Sequence, residues 1–225
     1  MTVSRGVHYA EAMADVSPLL APPVEFLFAT RLYRAEIADE PDLNAALLAA
    51  CLDAEAVDAE GRAWSERNGY TGYTSFESID DLARRYAAVG RLSEIAGTHA
   101  QRFARMLDWD LGTKRRLAMS SLWINILNPG GFHGSHLHPL SVLSGTYYVS
   151  VPPGASTISF EDPRLPLMMG APPRREGCAR ESRSHVGVVP RPGSLLMWES
   201  WLRHEVTLNR AEERRVSISF NFSWR

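Results

Sequence analysis

The sequence predicts a mainly β fold of the jelly-roll type, a sandwich or barrel, with a helical N-terminal part packed outside it. From about Met119 to the C-terminus, short runs of β-branched and aromatic residues alternate with Gly/Pro turns. Seven or eight such runs in succession are typical of antiparallel sandwiches and barrels. Before Met119 the apolar residues recur instead at helical spacings of three and four.

The strand-rich half contains a series of runs that we expect to form strands. In chain order these are Ser121–Leu127, Gly145–Val151, Thr157–Phe160, His185–Val189, Ser194–Glu199, Glu205–Leu208 and Val216–Phe222. The segment Pro163–Arg183 interrupts the series with Pro, Gly, Arg and Met but has no periodicity. A segment of this kind is typical of a long loop, either a functional lid or a disordered stretch.

The N-terminal half is predicted to open with an apolar strand over Val24–Tyr33. A helix is expected to begin at Asp42, because the apolar residues that follow share one helical face. The stretch Ala63–Ser78 is polar, aromatic and Gly-containing, which predicts a loop. A second helical region is expected over Ile79–Leu107, broken at one of its two glycines, Gly90 or Gly97.

The length of 225 residues suits a single domain. We expect a flexible arm over residues 1–23 and one domain over residues 24–225. Within that domain, residues 24–118 are expected to form a mostly helical flank and residues 119–225 the β core.

Composition and charge limit the classes of function. The formal net charge is −2, which argues against a nucleic-acid partner. No apolar run approaches the roughly 20 residues of a membrane span, and the N-terminus lacks the apolar core of a signal peptide. Cys51 and Cys178 form no CxxC pair, so we expect free thiols in a reducing compartment. These features predict a cytoplasmic protein with no membrane partner.

Histidines provide the main chemical signal. His133, His136 and His138 all fall within GFHGSHLHPL. Residues i and i+2 of an extended segment face the same side, so His136 and His138 can converge on one metal, whereas His133 has the wrong parity. Pro139 favours an extended backbone at His138, and His204 can add a third ligand from a later strand. Three protein ligands leave coordination positions open, as in catalytic rather than structural metal sites.

A second signal follows His204 along the chain. Arg215 and Ser217 lie two residues apart, so a strand would present a guanidinium and a hydroxyl on one face. Such a pair suits the far carboxylate of a dicarboxylate cosubstrate that binds the metal by its other end. Arg214 has the opposite parity and fits a surface position.

Several segments together resemble a known family. In order, these are WINILNPGGFHGSHLHPLSVLSGTYYV, ISFEDPR, PRPGSLLMWESWLRHEVTLN and RRVSISFNF. They are similar to the 2-oxoglutarate/iron(II) oxygenases related to the prolyl hydroxylases, and most similar to a bacterial and phage subfamily with HxHP, SGxYYV and DPR motifs. The resemblance covers the strand-rich half well and the N-terminal half loosely. It implies a double-stranded β-helix (a cupin-like jelly roll) with Fe(II) as metal and 2-oxoglutarate as cosubstrate.

The resemblance also implies roles for individual residues. Carried over by position, His136 is the first iron ligand and His204 the distal one. Arg215 and Ser217 bind the 5-carboxylate of 2-oxoglutarate. Two further residues are implied to contact the cosubstrate or line its pocket, Asn125 and Tyr148.

One departure from the family pattern concerns the second ligand. The wider superfamily has His-x-Asp/Glu, and this chain has His138 at the acidic position. A neutral imidazole removes one negative charge from the ligand set, which should alter the redox potential of the metal. Asp162 could instead supply a carboxylate as a ligand or as a partner of one, although a salt bridge to Arg164 or a turn cap is the simpler account.

Alternative functions stay open at this level. Three neutral histidines also suit Zn²⁺ in a hydrolase or lyase, which would need no Arg–Ser pair. A cupin-like dioxygenase without 2-oxoglutarate is a variant, although cupins place their second-motif histidine closer to PxG than His204 lies to Gly193. In a non-enzymatic β-barrel binding module, the arginines of Arg174–Arg183 would contact an anionic partner. The substrate, a peptide side chain or a small molecule, and the oligomeric state stay open, with a homodimer as one option.

Overall fold

The structure, a computed structural model, describes residues 25, 27–37, 40, 42–113 and 116–225. The flexible arm expected over residues 1–23 lies outside the described residues. The chain divides into two units, Met1–Thr30 and Arg31–Arg225, and the fold below belongs to the second. Within the described ranges, no helix is both long and apolar enough to cross a membrane.

The described part of Arg31–Arg225 contains four α-helices and ten strands. The helices are α1 (Leu43–Val57), α2 (Ala59–Arg67), α3 (Leu82–Arg85) and α4 (Ala87–Met106). The strands are β1 (Tyr33–Glu36), β2 (Gly72–Thr74), β3 (Leu117–Leu127), β4 (His133–His136), β5 (Leu143–Ser150), β6 (Ile158–Glu161), β7 (His185–Val188), β8 (Ser194–Glu199), β9 (His204–Val206) and β10 (Arg215–Trp224).

Two antiparallel sheets form the β core. The major sheet has the strand order β1-β8-β5-β10-β3-β2, and the minor sheet has the order β4-β9-β6-β7. An apolar cluster joins the two, in which Tyr148 and Trp198 of the major sheet pack with Ile158 and Phe160 of the minor sheet. The jelly-roll fold predicted from the sequence is confirmed.

Strand β10 shows how the sequence separates the two faces of the major sheet. Its alternate residues Val216, Ile218 and Phe220 are buried in the core beneath the helices. The intervening residues, Ser217 and Ser219 among them, line a cavity between the sheets. Because side chains of a strand alternate between faces, this polar and apolar alternation sets which side becomes core and which becomes cavity.

The helices cover the outer face of the major sheet. Helix α4 presents Val89, Leu92, Ala96, Ala100 and Phe103 at helical spacing, and all five are buried. Helix α1 contributes Leu47 and Ala54 to the same core. Their packing fixes the sheet whose other face carries the cavity.

The strand predicted over Val24–Tyr33 is wrong. Among its described residues only Tyr33 is in a strand, and that strand continues to Glu36. Phe28 has a φ of +56°, a left-handed conformation that no strand residue adopts. Propensity alone located the apolar run, but the strand forms where β8 supplies a partner, beginning with Tyr33 opposite Met197.

The loop predicted over Ala63–Ser78 is also wrong in part. Helix α2 runs into it as far as Arg67, with the side chain of Asp58 accepting a hydrogen bond from the backbone N–H of Gly61 as an N-cap. Strand β2 then pairs with β3 at Gly72, where a Cβ would collide with the carbonyl oxygen of Ile126. The glycine that favoured a loop is therefore required by a close approach within the sheet.

The second helical region breaks at Tyr86 and at neither of the predicted glycines. Tyr86 is extended (φ −123°, ψ +114°) between α3 and α4, and its hydroxyl donates to Asp53 of α1. Gly90 lies inside α4, where a Cβ would stand 2.8 Å from the carbonyl oxygen of Ala83. Gly90 thus permits α3 and α4 to pack closely.

Candidate metal and cosubstrate site

Strands β4 and β9 bring the histidines together. His136 lies opposite His204 in the register of this pair, and a bulge separates His136 from His133. His138 follows the end of β4, where its backbone N–H donates to the carbonyl of Ser200. Residues far apart in the sequence therefore meet at one end of the minor sheet.

The three histidines predicted to bind a metal form a compact group. One ring nitrogen from each of His136, His138 and His204 lies within 4.8 Å of the others. Ring centroids are 4.3 Å apart for His136 and His204, 5.1 Å for His136 and His138, and 5.2 Å for His138 and His204. This spacing suits three nitrogen ligands around one ion.

Backbone carbonyls orient two of these rings. Nδ1 of His136 lies 2.8 Å from the carbonyl oxygen of Gly134, and Nδ1 of His204 lies 2.9 Å from that of Leu202. A carbonyl only accepts hydrogen bonds, so each ring carries its proton on Nδ1 and keeps the Nε2 lone pair free. This is the tautomer that a metal ligand needs.

Burial keeps the histidine cluster neutral. Burial lowers the pKa of His204 to about 3 and that of His138 to about 4, and it lowers the pKa of His136 as well. Neighbouring imidazoles add to this effect, because each would repel a second positive charge. At neutral pH the cluster therefore presents three uncharged nitrogen donors.

Asp162 does not join this group. Its carboxylate accepts hydrogen bonds from the backbone N–H and the guanidinium of Arg164, and these hydrogen bonds lower its pKa. The structure thus confirms the simpler account, a salt bridge and turn cap. Among the residues that the structure describes, the metal-ligand group is formed by histidines alone.

His133 stands beside the group but outside it. Its ring stacks on His136 with centroids 4.3 Å apart and meets the edge of Tyr70 at 5.9 Å. Burial lowers its pKa to about 4. The parity argument predicted that His133 is not a ligand, and the bulge turns its ring against His136 as a wall of the cavity.

Arg215 and Ser217 line the same cavity as the three histidines. Both are buried, and Nη1 of Arg215 donates to Oγ of Ser217 over 3.3 Å. The guanidinium carbon lies 5.0 Å from the centre of the Tyr148 ring. No described side chain forms a hydrogen bond with Nε of Arg215 or with the Tyr148 hydroxyl, although both atoms are buried.

These orphaned groups fit a dicarboxylate. A buried cation without an anionic partner is costly, and a carboxylate bound beside it would satisfy both Nε and the tyrosine hydroxyl. Arg214, the neighbour of opposite parity, instead points outward and pairs with Glu55 at 2.8 Å. The surface position predicted for Arg214 is confirmed.

Asn125 lines the same cavity as the histidines and Arg215, and its side-chain amide forms hydrogen bonds within the protein. Its Oδ1 lies within reach of the hydroxyls of Thr74 (3.2 Å) and Tyr70 (3.5 Å), and its Nδ2 donates to Ser219. These hydrogen bonds fix the amide in the cavity wall, and its contact with a cosubstrate stays a prediction.

Several residues that line the cavity were not predicted from the sequence. They are Tyr70, Trp123, Thr146, Trp198 and Ser219. Ser219 could have been found, because it continues the parity of Arg215 and Ser217 along β10. The other four carry no local signal, since an isolated aromatic or hydroxyl residue in a strand is equally compatible with the core.

Comparison with known proteins agrees with this geometry. Residues 121–221 match a family model described as "Putative 2OG-Fe(II) oxygenase". These residues contain all three histidines of the group together with Arg215 and Ser217. A comparison with curated proteins finds no match.

Solved structures share the fold at low sequence identity. A prolyl-4-hydroxylase from Pseudomonas putida is 16% identical over 87% of this chain and 94% of that chain, with a TM-score of 0.54. A prolyl hydroxylase from Trichoplax adhaerens, in complex with a hypoxia inducible factor peptide fragment, is 14% identical over 85% and 83%, with a TM-score of 0.56. HygX from Streptomyces hygroscopicus, with nickel and 2-oxoglutarate bound, is 13% identical over 86% and 82%, with a TM-score of 0.53. Through the match over residues 121–221 and the shared fold, the chain is similar to the 2OG-Fe(II) oxygenase family.

Proposed function

We propose that the chain is a dioxygenase in which His136, His138 and His204 hold Fe(II), and in which Arg215 and Ser217 bind the 5-carboxylate of 2-oxoglutarate. The observation that carries this proposal is the pairing of two features in one cavity. Three convergent neutral imidazoles line the cavity, and so does a buried guanidinium whose Nε has no hydrogen-bond partner among the described residues. A zinc hydrolase would explain the first feature but leaves the second without a purpose.

The three histidines bind and orient the metal. Each would present one neutral ring nitrogen, and for His136 and His204 the backbone carbonyl on Nδ1 directs Nε2 inward. Bound Fe(II) with 2-oxoglutarate and O₂ supplies the oxidation that converts a substrate C–H bond to C–OH and releases succinate and CO₂. Because the ligands are neutral, the charge of the 2-oxoglutarate dianion would be the main compensation for the metal.

Arg215 fixes the orientation of the cosubstrate. Its planar guanidinium can bind a carboxylate through two parallel N–H bonds, and the hydroxyls of Ser217 and Tyr148 can add a donor each. Burial raises the pKa of Tyr148, so this hydroxyl stays protonated as a donor. With the tail held in this way, the 2-oxo acid end would face the histidines.

The walls of the cavity exclude water from the site. Trp198 stands against His204 with ring centroids 4.7 Å apart, and Phe160 packs on Trp198 at 5.2 Å. Both side chains are at least nine-tenths buried. An apolar surround strengthens the electrostatic contacts within the site and limits side reactions.

We infer that the substrate is a small molecule or a peptide side chain that enters beside His138. Phe76 and Trp123 form an aromatic pair there, with centroids 5.1 Å apart, and Trp123 lies 5.8 Å from His138. Phe76 is about half exposed and so is available to contact a substrate. The Trichoplax adhaerens hydroxylase, whose structure contains a peptide, supports the peptide option.

The proposal is tested by turnover of 2-oxoglutarate. Purified protein stripped of metal is reloaded with Fe(II) or with Zn(II), and succinate is measured after addition of 2-oxoglutarate and O₂. We expect succinate with Fe(II), even without substrate as slow uncoupled turnover, and none with Zn(II). Tight 2-oxoglutarate-independent Zn(II) binding with no succinate under any condition would contradict the proposal.

A further inference from the structure

His138 differs from the other two histidines in what its Nδ1 faces. His136 and His204 each have a backbone carbonyl at Nδ1. The described group that faces Nδ1 of His138 is the side-chain amide of Asn221, whose Nδ2 lies 3.5 Å away. Asn221 is buried on β10, four residues beyond Ser217.

The orientation of this amide decides whether His138 can bind a metal through Nε2. An amide N–H directed at Nδ1 would require the ring proton to sit on Nε2, where it would occupy the lone pair that a metal needs. An amide oxygen directed at Nδ1 would accept the ring proton and leave Nε2 free. The oxygen and nitrogen of an amide differ only by a 180° rotation, so the hydrogen-bond network must choose between them.

The partners of Asn221 permit that rotation. Its Oδ1 lies 2.7 Å from Oγ of Ser144, and its Nδ2 lies 3.2 Å from Oγ of Ser121. Ser144 in turn shares a hydrogen bond with Ser200 at 2.8 Å. Each hydroxyl can donate or accept. In the rotated state Asn221 donates to Ser144, Ser144 donates to Ser200, and Ser121 donates to Asn221.

We propose that Asn221 is the positioning residue of His138: its carboxamide oxygen accepts the Nδ1 proton and directs Nε2 to the metal. This inference rests on the proposed function. It explains how the ring at the position of the family's usual carboxylate is oriented, although no backbone carbonyl of the described residues forms a hydrogen bond with its Nδ1. Ser200 also helps to position His138, because its backbone carbonyl accepts a hydrogen bond from the backbone N–H of His138 at 3.1 Å.

Metal affinity tests the role of the amide oxygen. Asn221→Leu removes both amide groups, and Asn221→Asp keeps an acceptor that cannot donate. Calorimetric titration with Co(II) alone should show affinity lowered by about 10- to 100-fold in Asn221→Leu, the usual effect of losing a partner of a metal ligand. Asn221→Asp should bind as tightly as the unaltered protein or more tightly.

Asn44 offers a matched control for the same substitution. Its amide also donates to one group and accepts from another, the carbonyl of Val149 and the hydroxyl of Tyr147, but it lies on α1 at the helical side of the sheet. Asn44→Leu should leave Co(II) affinity unchanged. Equal losses in Asn44→Leu and Asn221→Leu, or a loss in Asn221→Asp as large as in Asn221→Leu, would overturn the inference.

A spectroscopic measurement on the unaltered protein tests the same inference without any substitution. In the Zn(II)-loaded protein, ¹⁵N NMR of the histidine rings should show a proton on Nδ1 of His138, as on His136 and His204. A Zn(II)-loaded protein in which Nδ1 of His138 carries no proton would refute the role of Asn221 while leaving the metal site intact. Absence of stoichiometric metal binding would instead refute the proposed function, and the inference with it.

Discussion

At the residue scale, Arg215 is the side chain whose setting most needs a ligand. It is 3% exposed, yet its Nε has no hydrogen-bond partner among the described residues. Proteins rarely bury a guanidinium in this way unless an anion completes the site. Its neighbour Arg214 has the same chemistry, an exposed position and an ion pair with Glu55.

This contrast supplies the first prediction. Arg215→Ala should raise the KM for 2-oxoglutarate on the order of 100-fold, because it removes the buried charge that we propose binds the cosubstrate carboxylate. Arg214→Ala should leave the KM unchanged. The measurement is succinate release at varied 2-oxoglutarate, with Fe(II) or Co(II) binding followed separately to show that the metal site persists. Normal turnover in Arg215→Ala would show that the cosubstrate is bound elsewhere.

At the element scale, strand β5 separates the cavity from the helical core through a crowded glycine. Gly145 pairs with Met197 of β8 and Phe220 of β10. A Cβ at Gly145 would collide with the Phe220 ring and stand 2.7 Å from the carbonyl oxygen of Leu196. The close approach of the three central strands therefore depends on a missing side chain.

Gly145→Val should destabilise the protein by at least about 2 kcal/mol, since the clash involves backbone as well as a ring. Gly187→Val is the matched control, because Gly187 is also a strand residue and the nearest atom to its Cβ position lies 3.9 Å away. We expect the control to change stability by less than about 0.5 kcal/mol. Chemical denaturation compares the two, and similar losses would show that β5 has room to adjust.

At the scale of the whole molecule, the histidine cluster links folding to pH. The pKa values of His204, His138 and His133 fall from 6.5 to about 3, 4 and 4, mainly through burial. Between these values and 6.5 the unfolded chain binds more protons than the folded one. The free energy of unfolding of the metal-free protein should therefore fall as the pH falls through this window.

Thermal unfolding in the presence of a chelator, at pH values from 6.5 down to about 4.5, measures this dependence. His204→Asn should reduce the loss of Tm across the window, because it removes a ring that resists protonation in the fold. His185→Asn, which replaces a half-exposed histidine of β7 outside the cluster, is the matched control. An identical loss of Tm in the His204→Asn variant would contradict the prediction.

Much of the site could be predicted because its signals are local. The spacing of His136 and His138 and that of Arg215 and Ser217 follow from the alternation of side chains along a strand. The β-type runs after Met119 likewise carry their period in the sequence, and most lie within a few residues of the observed strands. The prediction that His133 is not a metal ligand rests on the same alternation.

Other features could not be predicted because they depend on contacts with distant residues. Strand β4 was missed because GFHGSHLHPL has little β propensity, and it forms by pairing with β9. The role inferred for Asn221 requires β10 to lie beside His138 and Ser144. The break at Tyr86 depends on Asp53, which belongs to a different helix.

The sequence by itself determined the kinds of chemistry present: which faces of the strands are polar, which histidines share a face, and which arginine has the parity to face the interior. These properties follow from the two-residue period of an extended chain, which is a local feature of the sequence. Only the tertiary structure decided that one ring nitrogen of each histidine lies within 4.8 Å of the others, that Nε of Arg215 has no hydrogen-bond partner among the described residues, and that Asp162 forms a salt bridge with Arg164. Convergence, burial and partner choice are set by the register of strands far apart in the chain, which local periodicity does not encode.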